Sequence, residues 1–135
     1  MYLLDTDIII YSLKGNQTVV WNLQLHMNDP LHISAVTLME LYYGAYKSSH
    51  VESNLAKVKA IESSMGIFPV SQTLVEIFGL LKSNLEKTST PLDDFDLVLA
   101  ATALSHNLIL VTNNTKHFQR INGLKIENWS RNAPS

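Results

Sequence analysis

The hydrophobic residues lie in short runs separated by polar turns, and two kinds of run alternate along the chain. Short, mainly apolar stretches are typical of buried strands. They occupy 2–4, 31–33, 67–70, 108–111 and 124–126, and the second and last of them have a polar residue at the centre. Between them, apolar residues recur every three or four positions, which predicts amphipathic helices. Strands that alternate with helices predict a three-layer α/β/α fold with a central, mostly parallel sheet. We expect a single domain over 1–135.

The predicted helices cover 7–13, 19–27, 35–46, 51–65, 71–85 and 97–104, with a short helical turn at 115–118. Thr6, Ser34 and Thr115 are candidate N-caps, and Gly66 is expected to end the fourth helix. Val75, Phe78, Leu81 and Leu85 form the predicted apolar stripe of the fifth helix. The segment 97–104 is apolar on every side and should be a buried helix.

Composition narrows the functional classes. Hydrophobic residues make up 46% of the chain and charged residues 16%, as in a compact globular protein. The net charge of -2 provides no overall basic field, so contacts to nucleic acid would depend on local Lys and Arg. The absence of cysteine excludes disulfides, thiolate zinc sites and cysteine nucleophiles. Without a signal-peptide pattern or an apolar run of ~20 residues, we expect a cytoplasmic protein that does not span a membrane.

Acidic residues stand where apolar elements begin or end. Asp5 follows the first strand directly, and Asn113 and Asn114 follow the strand 108–111. Ligands of such folds bind beyond the carboxyl ends of the strands, so these positions can meet if the two strands are neighbours. Glu40 and Asp96 are acids in otherwise apolar helices. Buried carboxylates are costly unless they are compensated, and several at one point are usually compensated by a metal ion.

Oxygen ligands without cysteine favour Mg²⁺ or Mn²⁺ over zinc. Carboxylates around such an ion suit hydrolysis of a phosphodiester, because the ion lowers the pKa of bound water and neutralises charge on the phosphate. Simpler roles stay open for some of the polar residues. Asp7, Asp93 and Asp94 can be N-caps or first-turn acids, and Asn113 and Asn114 can be ordinary turn residues.

Two other functions compete with a metal-dependent nuclease. The segment LLDTD also resembles the DxD start of aspartate-nucleophile phosphatases, and acidic clusters occur in receiver domains. Both require a lysine just after a later strand, where the nearest candidate is Lys116, and neither provides a role for Glu40. An inactive domain that only docks a partner is the other alternative, although the presence of Asp5, Glu40 and Asp96 argues against it.

Four segments together resemble the PIN-domain ribonucleases and, within them, the VapC toxins of bacterial toxin–antitoxin pairs. They are LLDTDIII, SAVTLMELYYGA, PLDDFDLVLAATAL and LILVTNNTKHFQRINGLKIENW. The resemblance runs almost from end to end and keeps the order and spacing of the family's motifs. It implies Mg²⁺- or Mn²⁺-dependent endonucleolytic cleavage of RNA, commonly tRNA or rRNA. It also implies a homodimer and a cognate VapB-like antitoxin.

The same resemblance assigns roles to particular residues. Asp5, Glu40 and Asp96 match the catalytic acids, with Asp5 and Asp96 as metal ligands. Asp94, Thr112 and Asn114 match accessory positions. Asn114 departs from the aspartate that is common at its position, which puts the number of bound ions in doubt.

Basic residues outside these motifs are candidates for contacts to RNA phosphates. They are Lys14, Lys47, Lys82, Lys87, Lys116 and Arg120. A solvated surface role is the alternative for each of them.

Overall fold

A computed structural model describes residues 1–131, which form five strands and seven helices. Residues 132–135 of the predicted domain lie outside the described residues. The strands are β1 (Tyr2–Leu4), β2 (Leu31–Ser34), β3 (Gly66–Phe68), β4 (Ile109–Val111) and β5 (Lys125–Glu127). The helices are α1 (Thr6–Leu13), α2 (Gln17–Leu25), α3 (Ala35–Lys47), α4 (Val51–Ser64), α5 (Gln72–Lys87), α6 (Asp94–His106) and α7 (Thr115–Phe118).

All five strands are parallel and lie in the order β3-β2-β1-β4-β5. The predicted parallel α/β sheet is therefore confirmed. From β1 the chain moves outward through β2 to β3, and it later returns to the other side of β1 with β4 and β5. The direction of winding thus reverses between β1 and β4, and a crevice opens there at the carboxyl ends of the strands.

Side chains alternate between the two faces of the sheet and build a core on each. Leu3 and Leu110 lie in the core that includes α5 and α6, whereas Leu4 and Val111 lie in the core that includes α1, α3 and α4. These two layers of helices complete the predicted three-layer arrangement. The sixth helix is buried along most of its length, as its uniformly apolar sequence predicted.

The structure corrects several predicted boundaries. Asp5, not Thr6, is the N-cap of α1: its backbone is extended, and its carboxylate accepts a hydrogen bond from the Thr6 N–H over 2.7 Å. Asn114, not Thr115, stands at the N-cap position of α7. Gly66 begins β3 and does not end α4.

The predicted stripe of α5 is wrong at its first position. Val75 is 58% exposed and Leu74 is 2% exposed. Leu74 and Val75 both continue the helical period of Phe78, Leu81 and Leu85, so periodicity alone could not choose between them. The tertiary structure decided the choice, since Phe78, Leu81 and Leu85 pack in the core that includes α6 and Leu74 is buried with them on α5.

Within the described range, no helix combines the length and the apolar character that crossing a membrane would require.

Candidate active site

Asp5 lies at the crevice between β1 and β4 because it ends the first strand. Its side chain is 7% exposed and is held at both oxygens. One oxygen accepts the Thr6 N–H over 2.7 Å, and the other accepts the Thr112 hydroxyl over 2.8 Å. Burial raises the pKa of Asp5, and these two hydrogen bonds act in the opposite direction. The carboxylate is thus fixed in orientation and only partly compensated in charge.

Thr112 is itself positioned by the sheet, because it follows β4, which is the parallel neighbour of β1. It is completely buried, and its hydroxyl oxygen also accepts the Asn114 N–H over 3.0 Å. The predicted meeting of the segments after the two strands therefore takes place. Through Thr112, the loop after β4 orients Asp5.

Asp96 enters the site from the first turn of α6. Asp93 is the N-cap of this helix and accepts the Phe95 N–H over 3.1 Å, which confirms its predicted capping role. Asp96 is half-buried, and burial and the charge of Asp5 together raise its pKa to about 6. The charges of Asp93 and Glu40 act in the same direction. Asp96 is therefore close enough to Asp5 and Glu40 for the charges of both to raise its pKa.

Glu40 lies in the second turn of α3 and faces α1. It accepts the Thr6 hydroxyl over 2.7 Å, and Thr6 is also 3.2 Å from the Thr37 hydroxyl. Burial raises the pKa of Glu40, as do the charges of Asp5 and Asp93, and the bond from Thr6 opposes this effect. The three predicted catalytic acids consequently lie near one another, one just after β1 and the others on α3 and α6.

Asp7 is a member of the same group that the sequence interpretation left as a cap or first-turn acid. Burial and the neighbouring charge of Asp5 raise its pKa to about 7. One oxygen accepts the Asn113 N–H over 3.1 Å, and the other is buried without a partner within the described residues. The signal in the sequence was an acid that stands just before the run Ile8–Ile10, two residues after Asp5.

The acids fit a hard divalent cation. Each of the four has a raised pKa, which is the electrostatic condition that bound positive charge relieves. Within residues 1–131, however, no three His, Cys, Asp or Glu side chains are arranged to enclose an ion by themselves. Mg²⁺ commonly binds through one or two carboxylates and completes its shell with water and substrate phosphate oxygens. Asp5 and Asp96 could supply such a pair.

Other predicted residues lie farther from this group. Asp94 is exposed and forms an ion pair of 2.9 Å with Lys82. Asn114 is exposed at the N-cap position of α7. Both border the site, at the start of α6 and just after Thr112, and neither is among the groups that raise the pKa values of the central acids.

The predicted basic residues are distributed over different surfaces. Lys14 is exposed just after α1, and Lys47 lies over the Tyr43 ring, 4.9 Å from its centre. Lys116 is exposed on α7. Arg120 donates to the Pro91 carbonyl over 3.1 Å and so ties α7 to the loop before α6. The structure does not bring these four together.

Known proteins match this arrangement along most of the chain. The PIN domain family matches residues 2–124. The tRNA(fMet)-specific endonuclease VapC of Shigella flexneri is 37% identical over 130 residues, which cover 96% of this chain and 98% of the relative. The chain belongs to the PIN-domain family of VapC ribonucleases. The identification of the family and of the enzyme class from sequence is therefore confirmed.

Solved structures of VapC-containing complexes share the fold. VapBC2 from Rickettsia felis, bound to a DNA fragment from its promoter, matches with a TM-score of 0.89 and 35% identity, covering 95% of this chain and 98% of that chain. DNA-bound VapBC from Salmonella typhimurium matches with a TM-score of 0.88 and 34% identity, covering 95% and 97%.

Proposed function

We propose that the chain is the toxin of a toxin–antitoxin pair and cleaves RNA with the help of Mg²⁺ or Mn²⁺. The observation that carries this proposal is the meeting of Asp5, Glu40 and Asp96 at the crevice between β1 and β4, with raised pKa values for all three. Such a cluster is costly for the fold by itself, and it becomes useful when a cation and a phosphodiester share it.

Asp5 and Asp96 would hold the ion. When bound, the ion supplies neutralisation of the phosphate charge and activates water for attack on phosphorus. Thr112 keeps one Asp5 oxygen oriented through its 2.8 Å hydrogen bond. Orientation of this kind typically changes metal affinity or activity by about 10- to 100-fold.

Glu40 would act as the general base of the reaction. Its Oε1 accepts the Thr6 hydroxyl over 2.7 Å, which holds the side chain beside the metal pair. Because burial raises its pKa, Glu40 accepts a proton more readily than an exposed glutamate does. In the proposed reaction Glu40 takes a proton from the attacking water as the new P–O bond forms. The P–O bond to the leaving ribose oxygen breaks, and solvent water supplies a proton to that oxygen. Thr6 keeps Glu40 in position.

We propose tRNA or rRNA as the substrate. The Shigella flexneri relative is named a tRNA(fMet)-specific endonuclease, and similar solved structures are VapBC complexes. The same comparisons support a VapB-like antitoxin as the partner that controls the enzyme. We further propose a homodimer, and a cytoplasmic location, where both the RNA and the antitoxin are made.

Incubation of the purified chain with total tRNA and rRNA tests this function. We expect cleavage with Mg²⁺ or Mn²⁺, no cleavage with EDTA, and a loss of about 100-fold or more in Asp5→Ala or Asp96→Ala. Glu52→Gln is the matched control, because it neutralises an exposed carboxylate on α4 that is not among the groups raising the pKa values of the three acids. If the intact chain cuts neither RNA with either ion, and its expression does not slow growth, the proposed function is wrong.

A further inference from the structure

The loop between β4 and α7, residues 112–114, places a hydrogen-bond donor on each of two acids in the site. The Thr112 hydroxyl donates to Asp5 over 2.8 Å, and the N–H of the next residue, Asn113, donates to Asp7 over 3.1 Å. Because the two donors come from adjacent residues, the path of this loop sets the orientation of both carboxylates together. The contacts that fix the loop therefore bear on the acids.

The side chain of Asn113 has partners at both ends of its amide. Its Nδ2 donates to the Tyr11 hydroxyl of α1 over 3.4 Å, and its Oδ1 accepts Nδ2 of Asn128 over 3.2 Å. The Ser130 hydroxyl lies 2.7 Å from the same Oδ1. Asn113 is half-buried, whereas Asn114 beside it is exposed. An asparagine that serves only as a turn residue bonds its own backbone, so these contacts indicate another role.

Asn128 and Ser130 belong to the segment 128–131, which follows β5. Oδ1 of Asn128 accepts the Ser130 N–H over 2.9 Å, and this bond turns the chain so that both side chains reach Asn113. The Ser130 hydroxyl is also 2.6 Å from Oδ1 of Asn128. A hydroxyl has one proton, so it donates to one of the two amide oxygens at a time. Asn128 therefore still donates to Asn113 when the Ser130 hydroxyl is bonded elsewhere.

Trp129 anchors this segment between the two polar residues. It is 3% exposed, and its ring stacks on the His26 ring at the end of α2, with 4.4 Å between the ring centres. Its carbonyl accepts Nδ2 of Asn22 over 3.0 Å, and its Nε1 donates to Glu127 over 2.9 Å. A buried aromatic ring with these hydrogen bonds fixes the segment on α2. The residues on either side of it are thereby held in place against the loop.

We propose that Asn113 is a positioning residue of the active site and that the segment 128–131 keeps it in place. Its side chain is fixed by that segment, and its backbone then orients Asp7 while the adjacent Thr112 orients Asp5. The inference rests on the proposed function and deepens it, because it adds residues that orient the acids without contacting RNA or the ion.

Cleavage kinetics test the role of the side chain. Asn113→Ala should lower kcat about 10-fold or more, as is typical when the support of a metal ligand is removed. The KM for RNA should stay within about twofold, because the changed side chain does not bind the substrate. Ser130→Ala should cause a smaller loss of kcat, since Asn128 still donates to Asn113, and Ser130→Thr should restore it. Ser64→Ala is the control, because it removes a hydroxyl that bonds the Ile61 carbonyl within α4.

A double-mutant cycle shows whether Ser130 acts through Asn113. If it does, the combination of Asn113→Ala with Ser130→Ala should have the kcat of Asn113→Ala alone. Losses that multiply would mean that Ser130 acts by a separate route, and they would contradict the inference.

Amide hydrogen exchange in EDTA reports on the loop without any reaction. Ser130→Ala should speed exchange of the 113 and 114 amides about fivefold or more and leave the amides of β1 and β4 unchanged, because the loop opens locally. Leu74→Ala is the control for general destabilisation, since Leu74 is buried on α5 and outside this network. It should lower the Tm and leave both kcat and the exchange at 113 and 114 as in the intact chain.

The outcomes separate this inference from the proposed function. If the intact chain cuts RNA but Asn113→Ala keeps its kcat, or Ser130→Ala keeps the slow exchange at 113 and 114, the inference alone is wrong. If the intact chain cuts no RNA, the proposed function is wrong and the inference fails with it. A loss of kcat at constant KM, together with faster exchange confined to the loop, supports both.

Discussion

Thr112 donates a 2.8 Å hydrogen bond to Asp5, although 107 residues separate the two in the chain. The contact exists because β1 and β4 are parallel neighbours, with Leu4 opposite Val111. It joins the first and the last of the four segments that resemble the family in one buried pair. The orientation of the central carboxylate thus depends on correct pairing of strands from the two ends of the fold.

Thr112→Val should damage both stability and activity. It keeps the shape of the side chain but leaves a buried Asp5 oxygen without its donor, at a cost of about 1–3 kcal/mol. Activity should fall about 10- to 100-fold. Urea unfolding and RNA cleavage rates measure the two effects. Thr112→Ser restores the hydroxyl and should recover most of the activity; if it behaves like the valine variant, the hydrogen bond is not the cause.

Neutralising a catalytic acid should stabilise the metal-free fold while abolishing activity. Asp96→Asn removes a half-buried charge that is repelled by Asp5. We expect a gain of about 1 kcal/mol at pH 8 after allowance for solvent screening, measured as a higher Tm in EDTA. Asp94→Asn should instead lose a surface ion pair and change stability by less than about 1 kcal/mol. Equal Tm shifts in the two variants would contradict the assignment of Asp96 to the charged cluster.

The metal-free protein should lose stability as the pH rises. The pKa of Asp96 is raised to about 6 and that of Asp7 to about 7, from an ordinary value of 3.8. A carboxyl with a higher pKa in the folded chain binds its proton more tightly there. The stability gained from this tighter proton binding is therefore lost between about pH 4 and pH 7. The fold is less stable at pH 8 than at pH 5.

Asp7→Asn should flatten this pH dependence. The variant cannot ionise at position 7 and should be more stable than the natural chain at pH 8 by about 2 kcal/mol, with little gain at pH 4. Urea midpoints across the pH range, in EDTA, provide the measurement. If Asp7→Asn changed the free energy of unfolding by the same amount at pH 4 and pH 8, Asp7 would act through packing and not through charge.

Gly66→Ala should destabilise the sheet. An added Cβ would lie against the His32 ring, 2.9 Å from its Nε2, because His32 and Gly66 are register partners on β2 and β3. Crowding of this kind costs about 1–3 kcal/mol. Gly44→Ala is the control, since it has open space and should be stabilising by up to about 1 kcal/mol.

The double variant His32→Ala with Gly66→Ala separates crowding from strand propensity. Removal of the ring should relieve the clash, so the Gly66→Ala change should cost much less in the absence of His32. Thermal unfolding of the four proteins in the cycle measures this coupling. Additive losses would mean that the two side chains do not compete for the same space.

Part of the site was predictable because its chemical signal is local. Glu40 and Asp96 stand out in apolar helices, where a charge needs a functional reason, and both lie in the cluster. Asp93 was predictable as a cap because capping depends on the hydrogen bond to a nearby N–H, here that of Phe95. The resemblance then ranked Asp5, Glu40 and Asp96 above the other acids.

Other features depended on contacts between distant segments. Asp94 and Asp96 are two residues apart in one helix, and only the position of Lys82 on α5 shows that Asp94 faces outward. The role of Asp7 depended on its burial beside Asp5 and on the Asn113 N–H, 106 residues away. The local pattern of apolar and polar residues predicts neither the partner of Asp94 nor the partners of Asp7.

The sequence by itself determined the α/β alternation and the parallel sheet, and it singled out the three acids proposed for the site, because periodicity, helix composition and charge in apolar surroundings act over a few residues. Only the tertiary structure decided which strands are adjacent, which face of α5 is buried, and how Thr6 and Thr112 orient the carboxylates. These features arise from packing between segments far apart in the chain, where the free energy depends on partners that no local pattern specifies.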